Sequence, residues 1–273
     1  LFLLLTGCAP ETHLNTFTID PAGSFSVSGT SLPGEKWWHA FGDDQLNQLV
    51  DTSLGRNFTI ASARERLMAA RATVDRESAS FFPALDGFLT FETTGPGDRN
   101  QPGAGLRTGL SASYEVDLWG RLGATVDAAK FRAEASYSDY QVAAITISAE
   151  IVRTWFQLAE ANSQLQLATI QVETNEQILE LIRKRFITGL VRNVDMLRQE
   201  ELVESTRELQ VIARSRATVL RNRLAVLTGT SPLAKPLFAA DALPELPPVP
   251  ESGIPSALIS RRPDVKRAYS ELQ

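Results

Sequence analysis

Cysteine, histidine and methionine are nearly missing from this chain: one Cys, two His and two Met in 273 residues. The single Cys8 allows no internal disulfide, and His13 and His39 are too few for a zinc constellation. No Ser/His/Asp grouping, nucleophile elbow or phosphate-binding loop is present, so an enzyme is a poor reading, as is a nucleotide-driven motor. The formal net charge is −5, without a basic field, which removes the electrostatic footprint of a nucleic-acid partner. Also missing is an apolar run of about twenty residues, so no transmembrane helix is expected. A membrane crossing would have to use β-barrel strands, and a membrane attachment could use a lipid.

Two patterns are present instead, and they adjoin. From Leu106 to Leu118 the even positions read Leu106, Thr108, Leu110, Ala112, Tyr114, Val116 and Leu118, and the odd ones include Arg107, Glu115 and Asp117. Successive strand residues point to opposite faces, so this alternation predicts a strand with one apolar face and one polar face. From Trp119 the period changes. Ala144, Ile151, Leu158, Leu165, Val172, Leu179 and Phe186 recur at sevenfold spacing with no proline between. They predict one helix of more than sixty residues, on the order of 100 Å at ~1.5 Å per residue. Small residues such as Ala161 and Ala168 lie three positions after the seam and favour close helix approach.

Taken in order, Trp37, Trp38 and Phe41 read as packing residues that lead into a helix capped by Asp43 or Asp44, with Leu46, Leu49, Val50 and Leu54 as its stripe. A second helix carries Ile60, Ala63, Leu67 and Ala70 and ends near Phe81-Phe82-Pro83. Leu85, Leu89 and Phe91 then alternate with Asp86, Thr90 and Glu92, and a turn-rich loop from Thr94 to Gly105 leads to the strand at Leu106. The two strands form a β-hairpin about ten residues long, the length of a tilted bilayer-crossing strand. An antiparallel pair packed on a soluble core would alternate in the same way. Gly189 is placed to end the long helix and Asn193 to cap the next, whose stripe includes Leu197, Leu202, Leu209, Ala213, Leu220, Leu224 and Leu227, flanked by Ile212, Val219 and Val226. Gly229 ends that helix, and a proline-rich segment runs to Pro255. At an offset of 205, Arg56, Ile60, Ala63 and Leu67 match Arg261, Val265, Ala268 and Leu272, as if a second copy of the unit begins there.

The run Leu1-Phe2-Leu3-Leu4-Leu5-Thr6-Gly7-Cys8 has two readings. It could be a short buried strand, or the tail of a bacterial signal peptide ending in a lipobox, with Cys8 lipidated. The order of apolar run, small residues and cysteine favours the lipobox. Leu1 is not a start Met, and Gln273 stops inside an amphipathic pattern, so the expectation is a fragment.

Four stretches together resemble one family: Trp37-Trp38 through Phe41 and Leu46; Tyr114-Glu115-Val116-Asp117-Leu118-Trp119-Gly120-Arg121; Arg185-Phe186 with Gly189; and Arg262-Pro263-Asp264-Val265. They look like signature stretches of the TolC-like outer-membrane factors, the outer-membrane efflux proteins, in their NodT/OprM-like lipoprotein branch. The resemblance implies a mainly α fold with a β-hairpin, in which long antiparallel helical hairpins form a periplasmic tunnel below a transmembrane barrel. It implies a homotrimer, with two β-hairpins per full-length subunit in a shared twelve-stranded barrel. On this frame, residues 1–7 are a signal-peptide remnant and 8–36 a lipidated extended segment. Residues 37–228 are the first repeat, with its β-hairpin at 84–118 and its helical hairpin at 120–228. Residues 229–255 join an equatorial belt, and 256–273 open the second repeat.

The site residues follow from the same frame. Asp86, Thr90, Glu92, Arg107, Glu115 and Asp117 are expected to face a wet lumen, and Leu85, Leu89, Phe91, Leu106, Leu110 and Val116 to face lipid. The tip, with Phe186, Gly189, Leu190, Val191, Asn193 and Asp195, is expected to meet a periplasmic adaptor bound to an inner-membrane pump, while Gly189 also serves as a helix stop. Residues that close the tunnel in relatives lie largely on a second helical hairpin, so no gate residue is carried over. No cofactor is expected beyond a covalent lipid on Cys8. The implied function is passive export of small molecules in a tripartite efflux system, at the outer membrane and reaching into the periplasm. The rivals are the duct of a type I protein-secretion system and a lipid-anchored periplasmic coiled-coil adaptor.

Overall fold

The computed structural model describes residues 34, 36–93, 104–234, 238, 240, 243, 247–251 and 255–273. Cys8 with its lipobox, the turn-rich loop after Thr93 and parts of the proline-rich segment lie outside the described residues. Within them the order is α1 (Asp44–Arg56), α2 (Phe58–Ser78), β1 (Ala84–Thr93), β2 (Ala104–Ser113), α3 (Arg121–Ile187), α4 (Asn193–Leu227), α5 (Pro255–Arg261) and α6 (Pro263–Leu272). The predicted long helix is α3, unbroken over 67 residues, about 100 Å in length. A helix of this size gains its stability from the surfaces laid against it and not from propensity alone.

Those surfaces are arranged along its length. Helices α2 and α6 pack on α3 on the side of its N-terminus, and α4 runs back along its C-terminal half as an antiparallel hairpin. Around the middle lies the main core. Ile151, Val152, Trp155, Leu158 and Ala161 of α3 meet Leu46 and Val50 of α1, Ala217, Leu220 and Leu224 of α4, Trp38, and Ala240 from the proline-rich segment. The predicted packing role of the aromatic pair holds: Trp38 is buried, Trp37 meets Phe41 edge-on, and Phe41 meets Phe156 at 5.0 Å between ring centres. The segment after α4 is tied down by Asn162, whose Nδ2 donates to the Ala240 carbonyl at 3.0 Å.

Caps explain where the helices begin and end. Asp43, one of the two residues expected to cap α1, does so: its Oδ1 accepts from the Gln45 and Leu46 N–H groups at 3.0 Å. Its other oxygen accepts from Trp155 Nε1 at 2.8 Å, a bond between α1 and α3 across 112 residues that no local pattern announces. Asn57 stands between α1 and α2 with extended backbone angles, φ −66° and ψ 129°. Its Oδ1 accepts from Thr59 and Ile60 N–H, while its Nδ2 donates to the carbonyl of Leu227, the last residue of α4. One buried side chain thus caps α2 at its start and α4 at its end.

Two helix ends close on glycines in the left-handed region. After α3, Leu190 N–H bonds the Arg185 carbonyl and Gly189 N–H that of Phe186, with Gly189 at φ +74°. After α4, Thr230 and Gly229 repeat the arrangement on Ala225 and Val226, with Gly229 at φ +70°. Both are the Schellman turn that a side chain disfavours. The start of α4 differs from the expectation: Arg192 occupies the cap position and Asn193 is the first helical residue. The turn is closed by Asp195, whose carboxylate accepts the Arg192 N–H at 3.3 Å.

A second correction concerns the stripe on α4. Val203, Thr206, Ala217, Leu220 and Leu224 are buried, whereas Leu197, Leu202, Leu209, Ile212, Val219 and Val226 are exposed. The sequence mixes two apolar stripes on one helix, and only one of them faces α3. The other is what a helix needs when it has a neighbour on each side.

The repeat seen at an offset of 205 extends to the backbone. Position 262 corresponds to position 57, and Arg262 separates α5 from α6 as Asn57 separates α1 from α2, with φ −66° and ψ 122°.

Gly189 and Gly229 share a backbone conformation but not a neighbourhood. A methyl on Gly229 would sit 2.6 Å from the Arg56 carbonyl oxygen, whereas one on Gly189 meets nothing within 4 Å. Gly189→Ala is expected to cost roughly 1–2 kcal/mol from the left-handed backbone alone, and Gly229→Ala a further 1–3 kcal/mol because α1 must move. Thermal unfolding of the two variants checks this; equal losses would show that the end of α4 is not seated against α1.

Candidate functional site

The features singled out in the sequence sit at opposite ends of α3: the β-hairpin before its N-terminus and the turn into α4 after its C-terminus. In the hairpin, β1 and β2 pair antiparallel with Leu85 opposite Ala112, Gly87 opposite Leu110, Leu89 opposite Thr108 and Phe91 opposite Leu106. Residues directly opposite share a face. The register therefore gathers Leu85, Leu89, Phe91, Leu106 and Leu110 on one side of the ribbon. Asp86, Thr90 and Arg107 fall on the other side, Thr90 directly across from Arg107 and Asp86 across from Ser111. Glu92 lies in β1 across from Gly105.

Phe88 is a residue that the alternation did not single out. It lies on the polar side across from Gly109, and its ring fills the space a methyl on Gly109 would need, 2.6 Å from the nearest ring carbon. A ring laid over a strand glycine restores the packing that the missing side chain forfeits.

None of the five apolar residues is covered by the rest of the described chain: each is about two-thirds or more exposed, and Leu110 reaches 76%. Among the described residues the hairpin is therefore not packed on a core. A lone two-stranded ribbon is marginal in water, and a contiguous apolar face of this kind marks a surface made to be covered. Exposed aromatic residues border its open end: Phe81 and Phe82 before β1, Tyr114 and Trp119 after β2. Rings with this placement are suited to the polar boundary of a bilayer. No described helix is long and apolar enough to cross a membrane.

The strand stops earlier than expected. Pairing ends at Ala84–Ser113, so Glu115, Val116 and Asp117 are not strand residues. They form the joint to α3. Glu115 takes the Arg121 guanidinium on both carboxylate oxygens, at 2.6 and 2.7 Å. Asp117 accepts the Gly123 N–H at 2.8 Å, one of the free donors in the first turn of α3. That N–H, with smaller contributions from those of Leu122 and Arg121 and from the Arg121 charge, holds the Asp117 carboxyl below its ordinary range against the opposing effect of burial. Gly120, at φ +72°, turns the chain between these two interactions. The two carboxylates expected on the strand thus join strand to helix instead.

At the other end, Phe186, Gly189, Leu190, Val191, Asn193 and Asp195 do come together in one turn. Ile187 and Leu190 are exposed at 82% and 75%, and Val194 and Leu197 are half-exposed beside them. Ile187 and Val194 were not among the expected tip residues. Ile187 is the last residue of α3 and Val194 lies in the first turn of α4, so both flank the same turn. Arg183 and Glu200 brace the two helices just behind it at 2.8 Å.

The residue pattern of the outer membrane efflux protein family matches residues 49–230, more than half of the chain. The chain belongs to this family. Among curated relatives it is 28% identical to the pyoverdine export outer membrane protein OpmQ of Pseudomonas putida, covering 100% of this chain and 61% of that protein. It is 30% identical to the toluene efflux pump outer membrane protein TtgC of the same species, covering 91% of this chain and 53% of the relative. Nodulation protein T of Rhizobium leguminosarum bv. trifolii is 25% identical over 99% of this chain and 60% of its own length. Among solved structures, the outer-membrane channel OprN superposes with a TM-score of 0.74 at 27% identity, covering 93% of this chain and 60% of that one. The Campylobacter jejuni CmeC outer membrane channel gives 0.76 at 25% identity, with 92% and 56% covered. The chain spans between half and two-thirds of the length of these efflux proteins, and its fold is that of the TolC-like channels.

The joint before α3 has a defined acid response. A carboxyl held low in the folded protein adds stability above its unfolded value, about 3.9 for Asp. That contribution disappears as pH falls through the folded value. Amide exchange at Gly123 should therefore quicken on acidification below the ordinary carboxylate range in the native chain and be independent of pH, once corrected for intrinsic rates, in Asp117→Ala. An acid response that survives in the variant would assign it to another group.

Proposed function

We propose that the full-length protein is an outer-membrane duct of a tripartite efflux system, a homotrimer through which small molecules leave the periplasm passively. The observation that carries this reading is an uncovered ribbon, apolar on one side and polar on the other, joined through a braced turn to a helix of 67 residues. A closed barrel of such ribbons leaves no edge in the bilayer, with Leu85, Leu89, Phe91, Leu106 and Leu110 toward lipid and Asp86, Thr90 and Arg107 toward water. Helices α3 and α4 would extend the duct into the periplasm, and the apolar tip at Phe186–Leu190 would take a periplasmic adaptor that connects it to an inner-membrane pump. Lipidation of Cys8 would add an anchor in the outer membrane. Driving energy comes from the pump.

The exports named for OpmQ and TtgC support a small-molecule cargo over a secreted protein. Family membership and the two-faced hairpin count against the separate coiled-coil adaptor. Membership in a family of efflux channels also counts against an enzyme.

Charge placed on the two faces of the ribbon separates this reading from a soluble one. Leu89→Arg in the full-length protein should cost roughly 2–4 kcal/mol in the bilayer and reduce the membrane-inserted trimer, whereas Thr90→Arg should insert normally. Equal insertion of both variants would remove the lipid-facing assignment. Gly189→Trp should leave insertion intact while weakening adaptor capture and raising drug sensitivity; unchanged efflux would remove the tip assignment. Cys8→Ser should lose incorporation of labelled fatty acid, and retained label would refute the lipobox.

A further inference from the structure

The end of α4 rests on a specific seat. Asn57, at the elbow between α1 and α2, donates to the Leu227 carbonyl at 2.8 Å, and Gly229 packs against the Arg56 carbonyl so closely that no side chain fits. The elbow thus receives a helix by its carbonyl end, where the last C=O groups lack partners within the helix. The second elbow, at Arg261-Arg262 between α5 and α6, matches the first in sequence offset, in backbone angles and in the packing of the following helix on α3. Within the described residues it receives no such helix end.

We propose that the Arg261-Arg262 elbow seats the carbonyl end of one further long helix in the full-length protein, the second-repeat counterpart of α4. This rests on the reading that the full-length protein carries a second helical hairpin, which fits the 53–61% of TtgC and OpmQ that the chain spans. The partner is defined by chemistry: a helix whose last turn closes on a glycine, with that glycine on the Arg261 carbonyl and its terminal carbonyls toward the Arg262 side chain. Arginine suits the task for two reasons. The negative end of a helix dipole favours a cation over a neutral amide. The guanidinium also has five donors. Asp264 takes Nε and Nη2, at 3.0 and 2.5 Å, which leaves Nη1 for carbonyls and fixes the fork in place. Arg262 is thus a positioning residue for the second hairpin, and Asp264 orients it.

The rival account is local: Arg262 serves only to pair with Asp264 at the start of α6. Hydrogen exchange on the full-length trimer in detergent separates the two. Asn57→Ala should speed exchange in the last turns of α4 by about tenfold, the size of one lost buried hydrogen bond, and leave the second hairpin unchanged. Arg262→Ala should do the reverse, with a comparable effect in the last turn of one helix beyond residue 273 and none in α4. Arg262→Lys should restore part of that protection, because a cation remains. Asp264→Ala should have a smaller distant effect than Arg262→Ala. A response to Arg262→Ala confined to residues 255–273, or equal responses to both changes in α6 alone, would overturn the proposal. Drug efflux measured on the same variants reports separately on the duct reading. Failed export by the unmodified protein alongside a distant exchange response would refute the duct and keep the seat.

Discussion

A helix of 67 residues has no tertiary support of its own, and everything else in the chain is arranged to supply it. The seam of α3 is covered in sections: α2 and α6 toward the hairpin, α1 and the tryptophan cluster at the middle, α4 toward the tip. The sections meet where Asp43 bonds Trp155 and Asn57 bonds Leu227, so four elements are locked at one level of the rod. That level also holds the most deeply buried side chains, including Leu46, Ile151, Leu158 and Leu224. Toward the two ends of the rod, by contrast, large apolar side chains such as Leu110 and Ile187 stand exposed.

Away from the middle, polar groups define how α3 and α4 align. Arg183–Glu200, Arg207–Glu176, Arg216–Glu160 and Arg223–Glu150 cross between the helices, and Gln199 and Gln210 donate to the Asn175 carbonyl and the Thr169 hydroxyl. Each ion pair is substantially exposed and is worth about 0–1 kcal/mol, so their sum is a minor part of the stability. Their more important effect is on register, since sliding α4 by one turn would break all of them together.

The long helix, its stop at Gly189, the hairpin and the two-sided ribbon were legible because each rests on a period or a local backbone requirement. Sevenfold spacing survives any tertiary context, and a Schellman turn asks for glycine wherever it occurs. The capping carboxylate of Asp43 was legible for the same reason, but its second bond to Trp155 was not, because nothing in a local window links residues 112 positions apart. Alternation also ran on past Ser113 and drew Glu115, Val116 and Asp117 into the strand; a polar-apolar pattern does not reveal that the carboxylates turn instead toward Arg121 and Gly123. On α4 a single stripe was read from the leucine spacing, and it missed Val203, Thr206 and Ala217, which are buried, because small and polar residues on a packed face leave no apolar signal.

The ribbon's outer edges bear on how such a molecule could be built. Each strand has one paired edge and one whose N–H and C=O groups find no strand among the described residues. In hydrocarbon every such group left unsatisfied costs several kcal/mol, which a lone pair of ten-residue strands could not sustain. Such a ribbon placed in a bilayer would therefore have to gain a strand on each outer edge as it entered, whereas a helical segment satisfies its own backbone and can enter alone.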